Sequence, residues 1–241
     1  MNFHVVTLFP EVVDAYAQVS ILGRAQKTKS NGVQGKNLLS VQSYQLRDFV
    51  TNPVKLPRSH GAGKWAYKKV DERPYGGGPG MVLLAEPFVR AVENLRKKNP
   101  KAKIIITAAG GKPLTNAYAK SLIKHKDVII LCGRYEGIDA RVKKILKAEE
   151  VSVGPYILTG GELPALTIID ATARQIPGVL GKFESLEEGR VASHEMYTRP
   201  EVLEWKDTSG KVKKYKVPKV LLSGNHASMN AWKDKKRSEP I

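Results

Sequence analysis

The sequence contains a single cysteine, Cys132, among 241 residues. One cysteine excludes an internal disulfide and fits a reducing compartment, so we expect a cytoplasmic protein. Because Cys132 lies between Leu131 and Gly133, we interpret it as a small core residue, with a reactive thiol as the alternative. No apolar run approaches the ~20 residues of a membrane helix. The first nine residues are too short and too weakly basic for a secretory signal, and they indicate a buried strand.

The familiar catalytic and metal-binding patterns are also missing. The histidines (His4, His60, His125, His194 and His226) have no metal-ligand spacing, so we predict no metal site. The glycine block Gly76–Gly80 resembles a phosphate loop but matches neither known pattern, because Pro79 interrupts it and no Lys-Ser or Lys-Thr follows. These absences leave few side chains that could carry chemistry without a cofactor.

Acidic residues are few: the chain has 23 of them and 40 lysines and arginines, which gives a net charge of +17. Such an excess predicts a polyanionic partner, most often nucleic acid; the alternative is a merely basic surface. Clustering favours the first interpretation, since Lys206–Lys219 contains six lysines and one aspartate. We expect this cluster to contact phosphates.

Short apolar runs alternate with amphipathic stretches along most of the chain. This pattern predicts an α/β fold with a parallel sheet covered by helices on both faces. We predict strands at 3–8, 38–44, 103–107, 127–131 and 151–153, and helices from 11, 86, 116, 138 and 163. Residues 51–80 indicate a long loop, and Val212–Val217 after a Ser-Gly turn predicts a hairpin. We divide the chain into a domain at 1–180, an acidic linker at 181–196 and a small basic domain at 197–241.

Two glycine-containing turns follow apolar runs, in Leu131–Asp139 and Val153–Pro164. Glycine lets the backbone approach a ligand closely and adopt positive φ. Two such turns indicate a small-molecule site built largely from main-chain groups, where a bound cofactor supplies the chemistry. The alternative is that the glycines only form tight turns between strands and helices.

Several ordered blocks, taken together, resemble the bacterial tRNA (guanine-N1)-methyltransferases, the TrmD family of the SPOUT superfamily. The blocks are Leu8–Pro10, Gly23–Ala25, Arg47–Phe49, Asp71–Met81, Cys132–Arg141, Leu158–Pro164, Ile176–Gly181, Tyr197–Pro200 and Leu221–His226. The resemblance implies methylation by S-adenosylmethionine of ring nitrogen 1 of the guanosine 3′ to the tRNA anticodon, at position 37. It also implies a homodimer, a cofactor held in a deep trefoil knot, and a small, mainly helical, basic C-terminal domain. A trefoil knot is an exception to ordinary chain topology.

The resemblance also assigns a cofactor pocket. By this resemblance, the adenine and ribose would be held by Gly133, Val153, Gly154, Pro155, Tyr156, Ile157 and Leu158. The pocket would be completed by Tyr135, Glu136, Gly160 and Gly161, and its third wall would run from Thr107 and Ala108 to Gly111. An adenine needs a flat apolar slot edged by backbone donors and acceptors, which Val153, Ile157 and Leu158 could supply.

The reaction requires a cation near the guanine oxygen and a base for the ring nitrogen. Arg174 matches the family's active-site arginine; the alternative is an ion pair with Asp170 on the same helix. The family places an aspartate in the linker, but this chain has none there, so we expect Glu188 or Glu187 to be the base, or both to be solvated. Asp170 is another possible base.

The sequence departs from the family in two further places. Pro155 stands where the family usually has aspartate, and the chain stops at Ile241, where the family usually has further helices. The resemblance places Arg199, Ser223, Asn225 and His226 near the RNA, with Lys213 and Lys214 in the basic cluster. Two alternatives remain: a knotted protein that binds tRNA and S-adenosylmethionine with weak or absent methyl transfer, and an enzyme for a different RNA guanosine.

Overall fold

The structure is a computed structural model that describes residues 1–29, 37–51, 54–55, 66–180 and 195–238. The chain divides into two compact units, Met1–Gly181 and Lys182–Ile241, each of which is described by itself. Among the described residues, no helix combines the length and the apolar character that crossing a membrane requires.

The first unit is built on a five-stranded parallel sheet. Its strands are β1 (Asn2–Thr7), β2 (Ser40–Gln45), β7 (Lys103–Pro113), β8 (Asp127–Leu131) and β9 (Glu149–Ser152), in the spatial order β2-β1-β8-β7-β9. Two-residue strands pair in antiparallel fashion as β3 (Val54–Lys55) with β4 (Ala66–Tyr67) and as β5 (Asp71–Glu72) with β6 (Val82–Leu83). The helices are α1 (Pro10–Ala17), α2 (Ser20–Lys27), α3 (Ala85–Arg96), α4 (Asn116–Leu122), α5 (Arg141–Leu146) and α6 (Glu162–Ala173).

The sheet separates two apolar cores. Ile130 and its alternate neighbours on β8 pack with the residues of α1, α2, α4 and α6, whereas Ile129 and Leu131 pack with α3 and α5. Alternate residues of a strand point to opposite faces, so a strand covered on both sides must be apolar throughout. Every residue of β8 is buried, including Asp127 at its start. The predicted parallel sheet with helices on both faces is confirmed.

The strand β7 is longer than predicted and contains a detour. It pairs with β9 up to Thr107, and then again from Lys112, with Val151 as the partner at both points. Residues 108–111 therefore leave the ladder and return to it. The glycines of the Ala-Ala-Gly-Gly segment favour the end of a strand, and only the pairing with β9 makes the strand resume.

The second unit contains an antiparallel hairpin and two helices. The hairpin joins β10 (Val202–Lys206) to β11 (Val212–Lys216), and the helices are α7 (Lys219–Leu222) and α8 (His226–Ser238). The hairpin predicted after the Ser-Gly turn is confirmed. Most of the predicted acidic linker lies outside the described residues.

Candidate active site

A cavity of about 430 Å³ lies at the carboxyl end of the parallel sheet. Its walls come from the end of β7, the turn after β8, the segment after β9 and the start of α6. Parallel α/β sheets bind ligands at this edge because the loops that follow neighbouring strands converge there. The sequence-predicted residues that line the cavity are Thr107, Ala108, Gly133, Tyr135, Glu136, Val153, Gly154, Tyr156, Ile157, Leu158, Gly160 and Gly161.

Two sequence-predicted pocket residues lie elsewhere. Gly111 is not part of the cavity lining that the structure describes, and a side chain there would meet the Val151 nitrogen at 2.6 Å. Gly111 therefore permits the close approach of β7 and β9. Pro155 is exposed and is likewise absent from the described lining, between Gly154 and Tyr156, which both belong to it.

The two glycine-containing turns meet in the structure. The Gly161 N–H donates to the Gly133 carbonyl over 2.8 Å, and Arg134 forms an isolated β-bridge with Gly160. A Cβ atom at Gly161 would lie 2.7 Å from the Gly133 nitrogen and would also collide with the Thr107 hydroxyl. Glycine is required at this position because the backbones approach too closely for a side chain.

A buried ion pair ties the same two turns together. The Glu162 side chain is almost fully buried, and its Oε2 lies 2.9 Å from Nη2 of Arg134. The Thr7 hydroxyl donates to Glu162 Oε1 over 2.5 Å, which connects the pair to the end of β1. Arg134 also lies over the Phe9 ring, 4.5 Å from its centroid. No sequence pattern predicted this pair; its signal was a carboxylate directly after Gly160-Gly161, where a charged residue begins a buried helix.

The thiol of Cys132 lies beside this ion pair and is fully buried. Burial, reinforced by the charge of Glu162, raises the pKa of the Cys132 thiol well above its ordinary value. The thiolate is therefore disfavoured, which agrees with the interpretation of Cys132 as a core residue.

The backbone of Tyr135 adopts φ of 59°, in the left-handed region that non-glycine residues rarely occupy. A residue held there costs about 1–3 kcal/mol, which the surrounding structure must offset. Its neighbour Gly137 also has positive φ, at 119°. The turn Gly133–Gly137 is thus bent tightly around the cavity that it lines.

The glycine block at 76–80 ends directly at the cavity. The Glu136 N–H donates to the Met81 carbonyl over 3.0 Å, and the Leu83 N–H donates to Gly137 over 2.9 Å. Gly80 has φ of 83°, and a side chain there would meet the Glu136 carboxylate. This close contact explains why the block needs glycine at its end, although it matches no phosphate-loop pattern.

Three carboxylates, Glu136, Asp139 and Glu150, stand on the cavity wall. Arg141 holds Asp139 with charged hydrogen bonds, which lower the pKa of the Asp139 carboxyl. Lys143 pairs with Glu150 at 2.6 Å. Cationic side chains therefore neutralise two of the three lining carboxylates. No group of three histidine, cysteine, aspartate or glutamate side chains suited to a metal ion is found in the part of the chain that the structure describes.

Arg174 caps the end of α6 and is half-buried. On the preceding turn, Asp170 accepts a hydrogen bond of 2.8 Å from the Tyr16 hydroxyl, which connects α6 to α1. Glu187 and Glu188, the predicted bases, lie outside the described residues.

The predicted RNA-contacting residues all lie in the second unit. Arg199 is exposed and precedes Pro200 through a cis peptide bond. Asn225 begins α8, where its Oδ1 accepts the Ser228 N–H and its own N–H donates to Ser223. His226 is exposed. Lys213 and Lys214 pair with Asp207 and Glu204 across the hairpin.

Comparison with known proteins identifies the family of the chain. The family model described as "tRNA (Guanine-1)-methyltransferase TrmD" matches residues 1–240. The tRNA (guanine-N(1)-)-methyltransferase of Pasteurella multocida (strain Pm70) is 41% identical over 95% of this chain and 83% of its own length. The proteins of that name from Geobacter metallireducens and Clostridioides difficile (strain 630) are each 38% identical, over 99% and 97% of this chain and 87% and 90% of their own lengths. The chain therefore belongs to the tRNA (guanine-1)-methyltransferase TrmD family.

Proposed function

We propose that this chain methylates ring nitrogen 1 of the guanosine 3′ to the tRNA anticodon and that it takes the methyl group from S-adenosylmethionine. Family membership over the whole chain supports the reaction class. The observation that carries the proposal is the convergence of both glycine turns on one cavity at the carboxyl edge of the sheet. A tRNA substrate also fits the cytoplasmic location proposed from the single cysteine.

The cavity fits the proposed cofactor in size and chemistry. Its volume of about 430 Å³ falls within the range of about 300–1,000 Å³ for small-molecule sites. Val153, Ile157 and Leu158 line it with apolar surface, and the glycines at 133, 160 and 161 bring the backbone of the two turns to its wall. An adenine and its ribose would be held by these residues. The carboxylate of Glu136 suits the positive charges of the methionine end.

S-adenosylmethionine supplies an activated methyl group, so the protein's contributions are orientation, proton removal and charge stabilisation. We assign Arg174 to the guanine oxygen, where its guanidinium would stabilise developing negative charge. We assign removal of the ring proton to Glu188 or Glu187, since a glutamate can do this work where the family has aspartate.

Pro155 alters the part of the proposed site that would hold the methionine end of the cofactor. Proline removes both the family's carboxylate and a backbone N–H. Among the lining carboxylates, Glu136 is then left to meet the positive charge of the methionine group, because Asp139 and Glu150 are paired with Arg141 and Lys143.

The proposed assembly is a homodimer with a knotted cofactor segment, as in the family. Phe9, Val12 and Tyr16 expose apolar surface along α1, and Val19 extends it. Leu163 adds a further exposed apolar side chain on α6, the helix that Tyr16 contacts through Asp170. Burial of this surface in a dimer would bring the end of α6, with Arg174, close to the partner.

Incorporation of label from S-adenosylmethionine into a tRNA transcript tests the proposal. We expect transfer by the wild-type chain and a loss of about 10²-fold or more with Arg174→Ala, because a positioned charge at the oxygen is worth this much. Arg174→Lys should restore part of the rate, since it keeps a charge but loses the planar fork.

Two further variants identify the base. Glu188→Gln and Glu187→Gln remove one carboxylate each while they keep the side-chain shape. Loss of transfer in one and not in the other assigns the base; full activity in both would overturn the assignment to the linker. Absence of transfer by the wild-type chain, despite binding of both substrates, would favour the binding-protein alternative, which family membership does not favour.

A further inference from the structure

The hairpin formed by β10 and β11 is held in a defined shape by its turn. The Asp207 carboxylate accepts hydrogen bonds from the backbone N–H groups of Ser209 and Lys211, each over 3.0 Å, and from the Ser209 hydroxyl. Gly210 adopts φ of 85°, which allows the chain to reverse. Five residue pairs then follow in antiparallel register. The side chains of the hairpin are therefore presented from a fixed frame.

The register separates the side chains into two faces. Leu203 lies opposite Tyr215, and Trp205 lies opposite Lys213. Opposite residues, and alternate residues along a strand, point to the same side of a sheet. We name the side that carries Leu203, Trp205, Lys213 and Tyr215 the aromatic face. The other side carries Glu204, Lys206, Lys214 and Lys216, and we name it the lysine face.

The aromatic face is open within its unit. Trp205 is 63% exposed and Tyr215 is 55% exposed, and Leu203 is also exposed. An isolated hairpin gains stability when one of its faces is packed. The two large exposed rings therefore indicate that a ligand or partner binds to this face. Tyrosine and tryptophan present a rigid ring and a polar tip, which suits a ligand that stacks.

The surrounding charge identifies the class of occupant. Six lysines lie between Lys206 and Lys219, and the ion pairs of the hairpin engage Lys213 and Lys214 but not Lys206, Lys211 or Lys216. Lysine is depleted from the cores of protein–protein interfaces. Rings beside a lysine-rich strand are instead the combination with which proteins bind single-stranded nucleic acid, by stacking bases and neutralising phosphates.

We propose that the aromatic face of this hairpin binds unpaired RNA bases by stacking on Trp205 and Tyr215, while the lysine face neutralises the adjacent phosphates. The surface belongs to the second unit, whereas the residues that line the cavity belong to the first. The inference rests on the proposed function, because the tRNA substrate supplies the unpaired loop nucleotides.

Binding of RNA to three single variants tests the proposal. Trp205→Leu keeps an apolar side chain but removes the ring, and Trp205→Phe keeps a ring. Val212→Ala shortens an apolar side chain on the other side of the hairpin and removes neither a ring nor a charge. We expect Trp205→Leu to weaken binding of a tRNA transcript about tenfold, since stacking on an aromatic side chain contributes about 1–3 kcal/mol per base. Trp205→Phe should stay within about threefold of the wild-type chain, and Val212→Ala should bind as the wild-type chain does.

Two further readouts separate stacking from a structural role. Binding of a blunt-ended RNA duplex, which has no unpaired bases, should not change with Trp205→Leu. The dependence of affinity on salt should also keep its slope in Trp205→Leu, whereas Lys216→Ala should reduce that slope by about 0.7, because one phosphate contact is lost. Tyr215→Leu repeats the test at the second ring if Trp205→Leu does not fold.

The outcomes distinguish this inference from the proposed function. A wild-type chain that methylates tRNA, together with unchanged transcript binding in Trp205→Leu and Tyr215→Leu, would overturn the inference alone. Equal loss of duplex and transcript binding would also overturn it, because the rings would then act by packing against protein. A wild-type chain that neither binds nor methylates tRNA would overturn the proposed function itself.

Discussion

Glu162 carries a carboxylate almost fully removed from water, and its partner Arg134 is three-quarters buried. Removing one member of a buried pair leaves an uncompensated charge, which costs about 3–5 kcal/mol. Arg134 and Glu162 belong to the two turns that line the cavity, so the loss of this pair would destabilise the junction between those turns. The pair therefore positions the site as well as stabilising the fold.

Glu162→Gln should lower the free energy of unfolding by about 3 kcal/mol and weaken cofactor binding about tenfold. Denaturant unfolding and calorimetric titration with S-adenosylmethionine measure the two effects. Arg90→Gln, which breaks the exposed Arg90–Glu86 pair, is the matched control and should cost less than about 1 kcal/mol. Equal small losses in both variants would contradict a positioning role for Glu162.

His4 gives the stability a definite dependence on pH. Burial lowers the pKa of His4 below 6.5, although Asp127, 3.7 Å away, acts in the opposite direction, and the Tyr44 hydroxyl contacts the other ring nitrogen. The folded state therefore favours neutral His4. The stability that neutral His4 contributes is fully present above the pKa of this histidine in the unfolded chain. It is lost as the pH falls through the pKa of His4 in the folded protein.

Denaturant midpoints measured from pH 7.5 down to pH 5 should thus decline, with a smaller decline in His4→Asn, because the asparagine side chain at this position does not titrate. A steeper decline in His4→Asn than in the wild-type chain would show that another group controls the response.

Sequence patterns predicted the backbone part of the site better than its side-chain part. Gly133, Gly160 and Gly161 signalled close backbone approach, and the cavity includes all three. The contact between Arg134 and Glu162 depends on how two distant turns meet, which no local pattern encodes. Glu187 and Glu188 remain predictions.

At the scale of elements, α2 (Ser20–Lys27) shows why some structure escaped prediction. It contains Gly23, a residue that normally weakens a helix by about 1 kcal/mol. A side chain at Gly23 would collide with the Gln18 carbonyl carbon, at 2.6 Å. The tight turn between α1 and α2 thus requires the residue that helix propensity disfavours. The start of α5 at Arg141, rather than at the predicted Ile138, has a similar cause, because Gly137 and Asp139 pair with Leu83 through their backbones.

The turn before α6 offers a direct test of the close approach at Gly161. Gly161→Ala should weaken cofactor binding at least tenfold and destabilise the fold by about 1–3 kcal/mol, because the added methyl overlaps the Gly133 nitrogen and the Thr107 hydroxyl.

Gly110→Ala is the control for this change, since a Cβ there meets nothing within 4 Å. It should leave both stability and cofactor affinity near the wild-type values. Cofactor binding that is equally tight in Gly161→Ala would show that the two turns can separate without loss of the site.

At the scale of the whole molecule, the net charge of +17 distinguishes this chain from an ordinary globular protein. Binding of tRNA should release counterions in proportion to the phosphates that the protein neutralises. With six such contacts, affinity should fall about 10³-fold between 50 and 200 mM salt. Filter binding over a salt series measures this slope. A nearly constant affinity would mean that the excess lysines do not face the RNA.

The two units hold different parts of the proposed machinery. The first unit holds the cofactor cavity and Arg174, and the second holds Arg199, Asn225 and the lysine-rich hairpin. The alternation of strands and helices predicted the parallel sheet, because buried strands must be apolar on both faces. The residue pattern alone did not predict α8, although the resemblance implied a mainly helical C-terminal domain.

The central claim is that this chain methylates ring nitrogen 1 of one guanosine in tRNA. Nucleoside mass spectrometry tests it most directly, with paired transcripts that carry either G or A immediately 3′ of the anticodon. After incubation with S-adenosylmethionine, we expect guanosine methylated at ring nitrogen 1 from the G transcript and no methylated product from the A transcript. Methylation of both transcripts, or of neither, would contradict the account.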